Sequence, residues 1–342
     1  MQFFKKTSFD FIGARKAAFC ISLVLIAVSV FSMVARRWGN LGIDFVGGTL
    51  VQVRIEPMPP MEDIRSVLTD AGFGKPELQT FPRWSEVIIR MKTKKGDTTE
   101  KYGISAVKDE GIPGPSAGES SVLSADANTA PVVSARAYTE GGTEEKILVV
   151  LRDKFPSSSA EIQRVEMIGP SVGKELTKKA LLALFWGMIG IMVYVGWRFE
   201  FKYSAPAVIA LIHDVVITLG LLSLLNKEIS VTVIAAILTL AGYSINDTIV
   251  IYDRIREKMK LFSKDETGKV MNNAINDTLS RTVVTAGTTA AVLVAIFFLG
   301  GEVIHDFSFT MLIGVLIGTY SSIFVASPLV YEWESRHRKI KK

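Results

Sequence analysis

The residues whose types could do chemistry cluster in "AGYSINDTIVIYDRIRE", Ala241 to Glu257, where Asn246 and Asp247 interrupt a long apolar run. At about 100° per residue, Thr239, Tyr243, Asn246, Asp247 and Val250 share one helical face. A second polar stripe opens with "SRTVVTAGTT": Arg281, Thr285, Thr288 and Thr289 fall at i, i+4, i+7 and i+8. A carboxylate at the centre of a bilayer costs about 2.5–3.5 kcal/mol on insertion scales. Two remedies exist: protonation of Asp247, or pairing with Arg281. Alternation between them binds and releases a proton. A membrane potential supplies about 2.3 kcal/mol per charge per 100 mV, the same order as the penalty. Asp247, Asn246, Arg281, Thr285 and Thr288 are therefore the expected proton relay. The plainer reading is that Asp247 and Arg281, near the ends of their runs, snorkel to the interface; the matched stripes favour the relay. His213 and Asp214 form a looser pair, because adjacent residues point about 100° apart on a helix. A packing or hydrogen-bonded role suits them better than transport.

The elements that must hold these residues are membrane helices. The 342 residues are 49% hydrophobic, and the apolar residues gather in runs near the roughly 20 residues that cross a bilayer core. Six spans are expected, near Ala17–Ala35, Ala180–Val195, Ala205–Leu225, Ile229–Tyr252, Thr282–Leu299 and Phe307–Tyr331, with flanking residues extending the second and fifth. The first is too long for a signal-peptide core and stays as a helix. Lys5, Lys6, Arg15, Lys16, Arg198 and Lys202, the basic residues from Arg254 to Arg281, and the tail from Arg336 to Lys342 would collect on one side. By the positive-inside rule both termini are cytoplasmic. The net charge of +5 is topology information, not a nucleic-acid footprint. Thr310, Gly314, Gly318 and Ser322 form a small-residue ridge suited to close helix packing.

Between the first two spans, Thr49–Ile55, Glu77–Phe81, Glu86–Thr93 and Glu161–Met167 read as strands, and Met61–Gly72 and Glu144–Phe155 as helices. The order β-α-β-β-α-β predicts a ferredoxin-like α+β unit. The expected division is 1–35 for the N-terminus and first helix, 36–178 for the extracytoplasmic domain, 179–331 for the remaining five helices and 332–342 for a basic tail. The Gly-, Ser- and Pro-rich segment 94–142 has no period and reads as a disordered insertion. The lone Cys20 allows no internal disulfide. Three His and one Cys offer no metal cluster, nucleotide loop or activated nucleophile, so neither an enzyme nor a cofactor is expected.

Several motifs carry a family resemblance. "LGIDFVGGTLVQV" (Leu41–Val53), "IGPSVGKEL" (Ile168–Leu176), "AGYSINDTIVIYDRIRE", "NDTLSRTVVTAGTT" (Asn276–Thr289) and "GTYSSIFVASPL" (Gly318–Leu329) together resemble the SecD/SecF family of the RND superfamily, and its SecF members in particular. The resemblance implies an auxiliary subunit of the Sec translocase in the bacterial inner membrane. Such a subunit works with SecD and the SecYEG translocon, and indirectly with SecA, on an unfolded polypeptide. It implies Asp247 as the proton carrier, Arg281 as its charged counterpart and Thr285 along the path, with H⁺ or Na⁺ as coupling ion. Gly42, Asp44, Gly47 and Gly48 read as a glycine-bracketed turn compatible with a hinge. Two rivals stand beside this reading: an RND-type efflux half-transporter, for which 36–178 is small, and a non-conducting translocon scaffold.

Overall fold

The computed structural model describes residues 7–36, 40–81, 85–92, 142–261 and 267–340. Two compact units emerge: Val46–Gly173, and Met1–Phe45 with Lys174–Lys342. The expected insertion at 94–142 lies, but for Gly142, outside the described residues.

The smaller unit is a four-stranded antiparallel sheet in the order β3-β4-β2-β5. Its strands are β2 (Gly48–Glu56), β3 (Glu77–Phe81), β4 (Glu86–Lys92) and β5 (Ser159–Ile168). α3 (Met61–Leu68) runs into a π turn, Thr69–Phe73, broken at Gly72 with φ 89°. α4 spans Thr143–Lys154. Period-two alternation points Val51, Val53 and Ile55 of β2 and Val87, Ile89 and Met91 of β4 to one face. There they bury Ile64 and Leu68 of α3 with Ile147 and Leu151 of α4. This is the expected ferredoxin-like arrangement. A bulge between Gln52 and Val53 shifts the register of β2 against β5.

Among the described residues of the larger unit, six helices are long and apolar enough to cross a membrane. They are α1 (Arg15–Ala35), α5 (Pro170–Arg198), α6 (Phe201–Leu224), α7 (Val231–Leu261), α8 (Thr267–Leu299) and the run α9 (Glu302–Ser321), π turn (Ser322–Ala326), α10 (Ser327–Ile340). The fifth span is longer than the sequence suggests, so Arg281 stands mid-helix rather than opening it. The hydroxyl of Ser327 donates to the Ser322 carbonyl at 2.9 Å, meeting one acceptor that the π turn releases from the regular ladder. The small-residue ridge packs on α7: a side chain on Gly314 would overlap Leu240, and one on Gly318 would press on Ser244. α1 buries Ala18, Ser22, Ser29 and Ser32, and Gly220 of α6 lies so close that a Cβ there would overlap Ser29. Removing that Cβ lets two backbones approach closely, the usual basis of helix packing where no water drives it.

Candidate functional site

Asp247 is buried in the middle of α7, 5% exposed. Its Oδ1 accepts a long hydrogen bond, 3.4 Å, from the hydroxyl of Thr282 on α8. Its Oδ2 is buried with no hydrogen-bond partner among the described residues. That is costly for a carboxylate. Arg281 is exposed and, among the described residues, forms no ion pair with Asp247. The physical reason is helical phase. α8 buries Thr267, Val270, Met271, Ala274, Ile275, Thr278 and Thr282, the i, i+3, i+4, i+7 stripe of a packed face. Arg281 and Thr282 point about 100° apart, and it is Thr282 that is buried and turned to Asp247. Thr285 is half-buried and Thr288 exposed; the Thr288 hydroxyl is turned back to the carbonyls of Val284 and Thr285. Asn246 is exposed. The structure thus brings Asp247 to α8 without joining it to Arg281, Thr285 or Asn246. Thr282, absent from the expected set, was readable from the fourth-residue spacing of Ala274, Thr278 and Thr282.

His213 and Asp214 are more deeply built in than their sequence suggests. Asp214 is 0% exposed and His213 4%. Asp214 Oδ1 lies 3.0 Å from His213 Nδ1, and Oδ2 accepts the hydroxyls of Ser244 on α7 (2.5 Å) and Ser321 on α9 (2.8 Å). His213 Nε2 is 3.1 Å from Ser22 Oγ on α1. Ser22 in turn is 3.1 Å from the hydroxyl of Tyr320, which donates to the Ala18 carbonyl at 2.9 Å. One network therefore joins four helices. Adjacent residues share it because the His213 side chain folds back onto its neighbour's carboxylate.

The "GIDFVGG" segment divides by position. Gly42 N donates to the Ile229 carbonyl at 2.8 Å, extending a short parallel pairing of β1 (Asn40–Leu41) with β6 (Glu228–Ile229). Gly47 and Gly48 take φ values of 79° and 156°, which favour glycine.

At the other end of the helices, Asp277 of α8 meets Arg254 and Lys258 of α7 at 2.5 and 2.7 Å. The side-chain carbonyls of Asn272 and Asn276 accept the backbone N–H groups of Ile12 and Phe9 at 2.9 and 3.0 Å. This clips the N-terminal segment onto α8.

Comparison with known proteins decides the family. Residues 149–336 match the family "Protein export membrane protein SecD/SecF, C-terminal", and residues 40–57 match the "SecD/SecF GG Motif". The chain belongs to the SecD/SecF family. It is 43% identical to the protein translocase subunit SecF of Magnetococcus marinus, over 96% of this chain and 93% of that one. It is 39% identical to the SecF of Vibrio alginolyticus, over 93% and 88%. Among solved structures, the translocon-associated membrane protein SecDF from Thermus thermophilus superposes with a TM-score of 0.74 at 32% identity. That match covers 96% of this chain and 39% of the SecDF chain, so the chain spans about two fifths of the solved protein. SecD/SecF membership agrees with the six long apolar helices, and the glycines of the matched motif are Gly47 and Gly48.

Proposed function

We propose that this chain is an auxiliary subunit of the Sec translocase that acts with SecD and uses the proton-motive force to help exported polypeptides complete their passage. The observation that carries this reading is the half-satisfied carboxylate of Asp247, buried against α8 in a chain of the SecD/SecF family. Among the described residues, one oxygen holds a weak hydroxyl contact and the other holds none, so gaining or losing a proton changes the contact between α7 and α8. Arg281, on the same helix one residue from Thr282, is the cation that an altered α7–α8 packing would bring to the ionised form.

In this reading the chain lies in the bacterial inner membrane with both termini in the cytoplasm and residues 46–173 outside it. Gly47 supplies the left-handed backbone turn that leads into β2. SecYEG supplies the channel, and SecA drives the earlier, ATP-dependent stage. The sheet unit would hold or draw the emerging polypeptide. The chain is a transport component, not an enzyme, and needs no cofactor beyond the coupling ion, H⁺ or alternatively Na⁺.

Asp247→Asn tests the reading in vesicles that carry a secretory substrate together with SecD and the translocon. Late translocation is expected to lose its dependence on the proton gradient while the ATP-driven stage persists. Unchanged gradient dependence would overturn the reading in favour of a scaffold. Dependence that follows an imposed sodium gradient instead would assign Na⁺.

A further inference from the structure

The row of contacts from Asp214 to α1 has one hydrogen too few. Four contacts lie in line: Asp214 Oδ1 to His213 Nδ1, His213 Nε2 to Ser22 Oγ, Ser22 Oγ to the Tyr320 hydroxyl, and that hydroxyl to the Ala18 carbonyl. Each needs one hydrogen, and the groups present can be counted. The Ala18 carbonyl only accepts, so the Tyr320 proton is committed to it. Ser22 must then donate to Tyr320, and His213 Nε2 must carry the hydrogen that points at Ser22. A neutral ring protonated on Nε2 has a bare Nδ1. Facing it is a carboxylate oxygen, and two acceptors oppose each other at 3.0 Å. Moving the ring hydrogen to Nδ1 only transfers the deficit to the Ser22 or Tyr320 contact. The remaining lone pairs of Asp214 are already met by the hydroxyls of Ser244 and Ser321.

We propose that the His213–Asp214 pair is a second proton-binding site of the helical unit, separate from Asp247, and that the arrangement seen here is its loaded form. One proton from water adds to the neutral-imidazole and carboxylate pair. It resides on Nδ1 or on Oδ1, and all four contacts then hold a hydrogen. When it leaves, the ring hydrogen returns to Nδ1 to face the carboxylate. Nε2 then accepts from Ser22, and the tie from Ser22 through Tyr320 to α1 loses a donor. Loading the pair therefore fastens α1 to α9.

The surroundings suit such a site. Of the side chains facing the pair, α1 gives Ser22, α7 gives Ser244, and α9 gives Ser321 and Tyr320, of which Tyr320 alone is titratable. From the π turn, Ser322 is occupied by Thr248 at 2.8 Å. Asp247 stands one turn along α7 from Ser244.

The test is nitrogen NMR of the ¹⁵N-histidine-labelled chain, reconstituted with SecD in lipid, with His213 assigned by its absence in His213→Gln. Bare and protonated ring nitrogens are well separated in such spectra. The expected result is an Nε2 that is protonated while the pair holds the proton and bare once it is released, the two forms exchanging as pH is varied. Asp214→Asn can donate its amide hydrogen to Nδ1, so it is expected to hold Nε2 protonated throughout with no switch. Ser22→Ala, a mild change, removes the middle of the row and is expected to move the switch to lower pH. Asp247→Asn is expected to leave the switch in place, whether or not it abolishes gradient-driven translocation. An Nε2 that is bare throughout, or protonated throughout, in the unaltered chain would overturn the proposal. So would a switch that survives Asp214→Asn or vanishes with Asp247→Asn.

Discussion

The carboxylate of Asp44 accepts the backbone N–H of Val231, the first residue of α7, at 2.9 Å. Ser230 caps the same helix locally through the N–H of Val233 at 3.3 Å. Two oxygens, one distant and one adjacent in sequence, thus meet donors that the first turn leaves free. Loss of a capping side chain costs about 0.5–2 kcal/mol. Asp44→Ala is expected to lower stability within that range, and Asp44→Asn by less, as read from thermal unfolding in detergent.

Thr282 and Thr285 should separate cleanly. Among the described residues, Thr282 supplies the one hydroxyl that bonds Asp247, whereas Thr285, nearly one turn further along α8, is half-buried and makes no hydrogen bond to that carboxylate. Thr282→Val is expected to reduce gradient-dependent translocation several-fold, and Thr285→Val to leave it near the unaltered level. Equal effects would mean that the α7–α8 contact described above is not the working one.

The N-terminal clip has a defined acid limit. The Gly13 backbone N–H, then the Asn272 amide, hold the Asp10 carboxyl below its usual range. A lowered folded-state value stabilises above the unfolded one and is lost as pH falls through the folded value. Docking of Phe9–Ile12 should therefore be constant around neutrality and loosen only in acid below the ordinary carboxylate range. Asn272→Ala should release the segment at every pH. Hydrogen exchange at the Phe9 and Ile12 amides reads both.

Gly220 has no room for a side chain. Overpacking typically costs about 1–3 kcal/mol, so Gly220→Val is expected to destabilise the α1–α6 contact by at least that much. Cysteine cross-linking between positions 32 and 223, whose hydroxyls are 3.0 Å apart, should slow accordingly in a Cys20→Ser background.

Much of this was legible in the chain itself. Apolar runs declared the six helices, and period-two alternation declared β2 and β4, because burial on one face leaves a direct trace in residue type. Asp247 stood out because a carboxylate in such a run is expensive. What escaped was side-chain direction. Arg281 looked like the partner by charge, yet about 100° of helical phase gives the contact to Thr282. His213 and Asp214 looked poorly aligned, and only the positions of Ser22, Ser244, Ser321 and Tyr320 on three other helices make them a unit. Such partnerships depend on which helices neighbour one another, and no local period records that. The π turn likewise left no sign in "SSIFVA".

That turn sets the phase of the last helix. A π turn accommodates one residue more than the α-helix on either side, so everything after Ala326 is rotated by about 100° from where an unbroken helix would put it. Arg15 bonds Glu332 at 2.8 Å and stacks on the Tyr331 ring, and both partners lie beyond the offset. Deleting a single residue between 322 and 326 would straighten the helix and swing Glu332 away from α1. The added residue acts as a spacer that lets two ends of one helix answer to different neighbours.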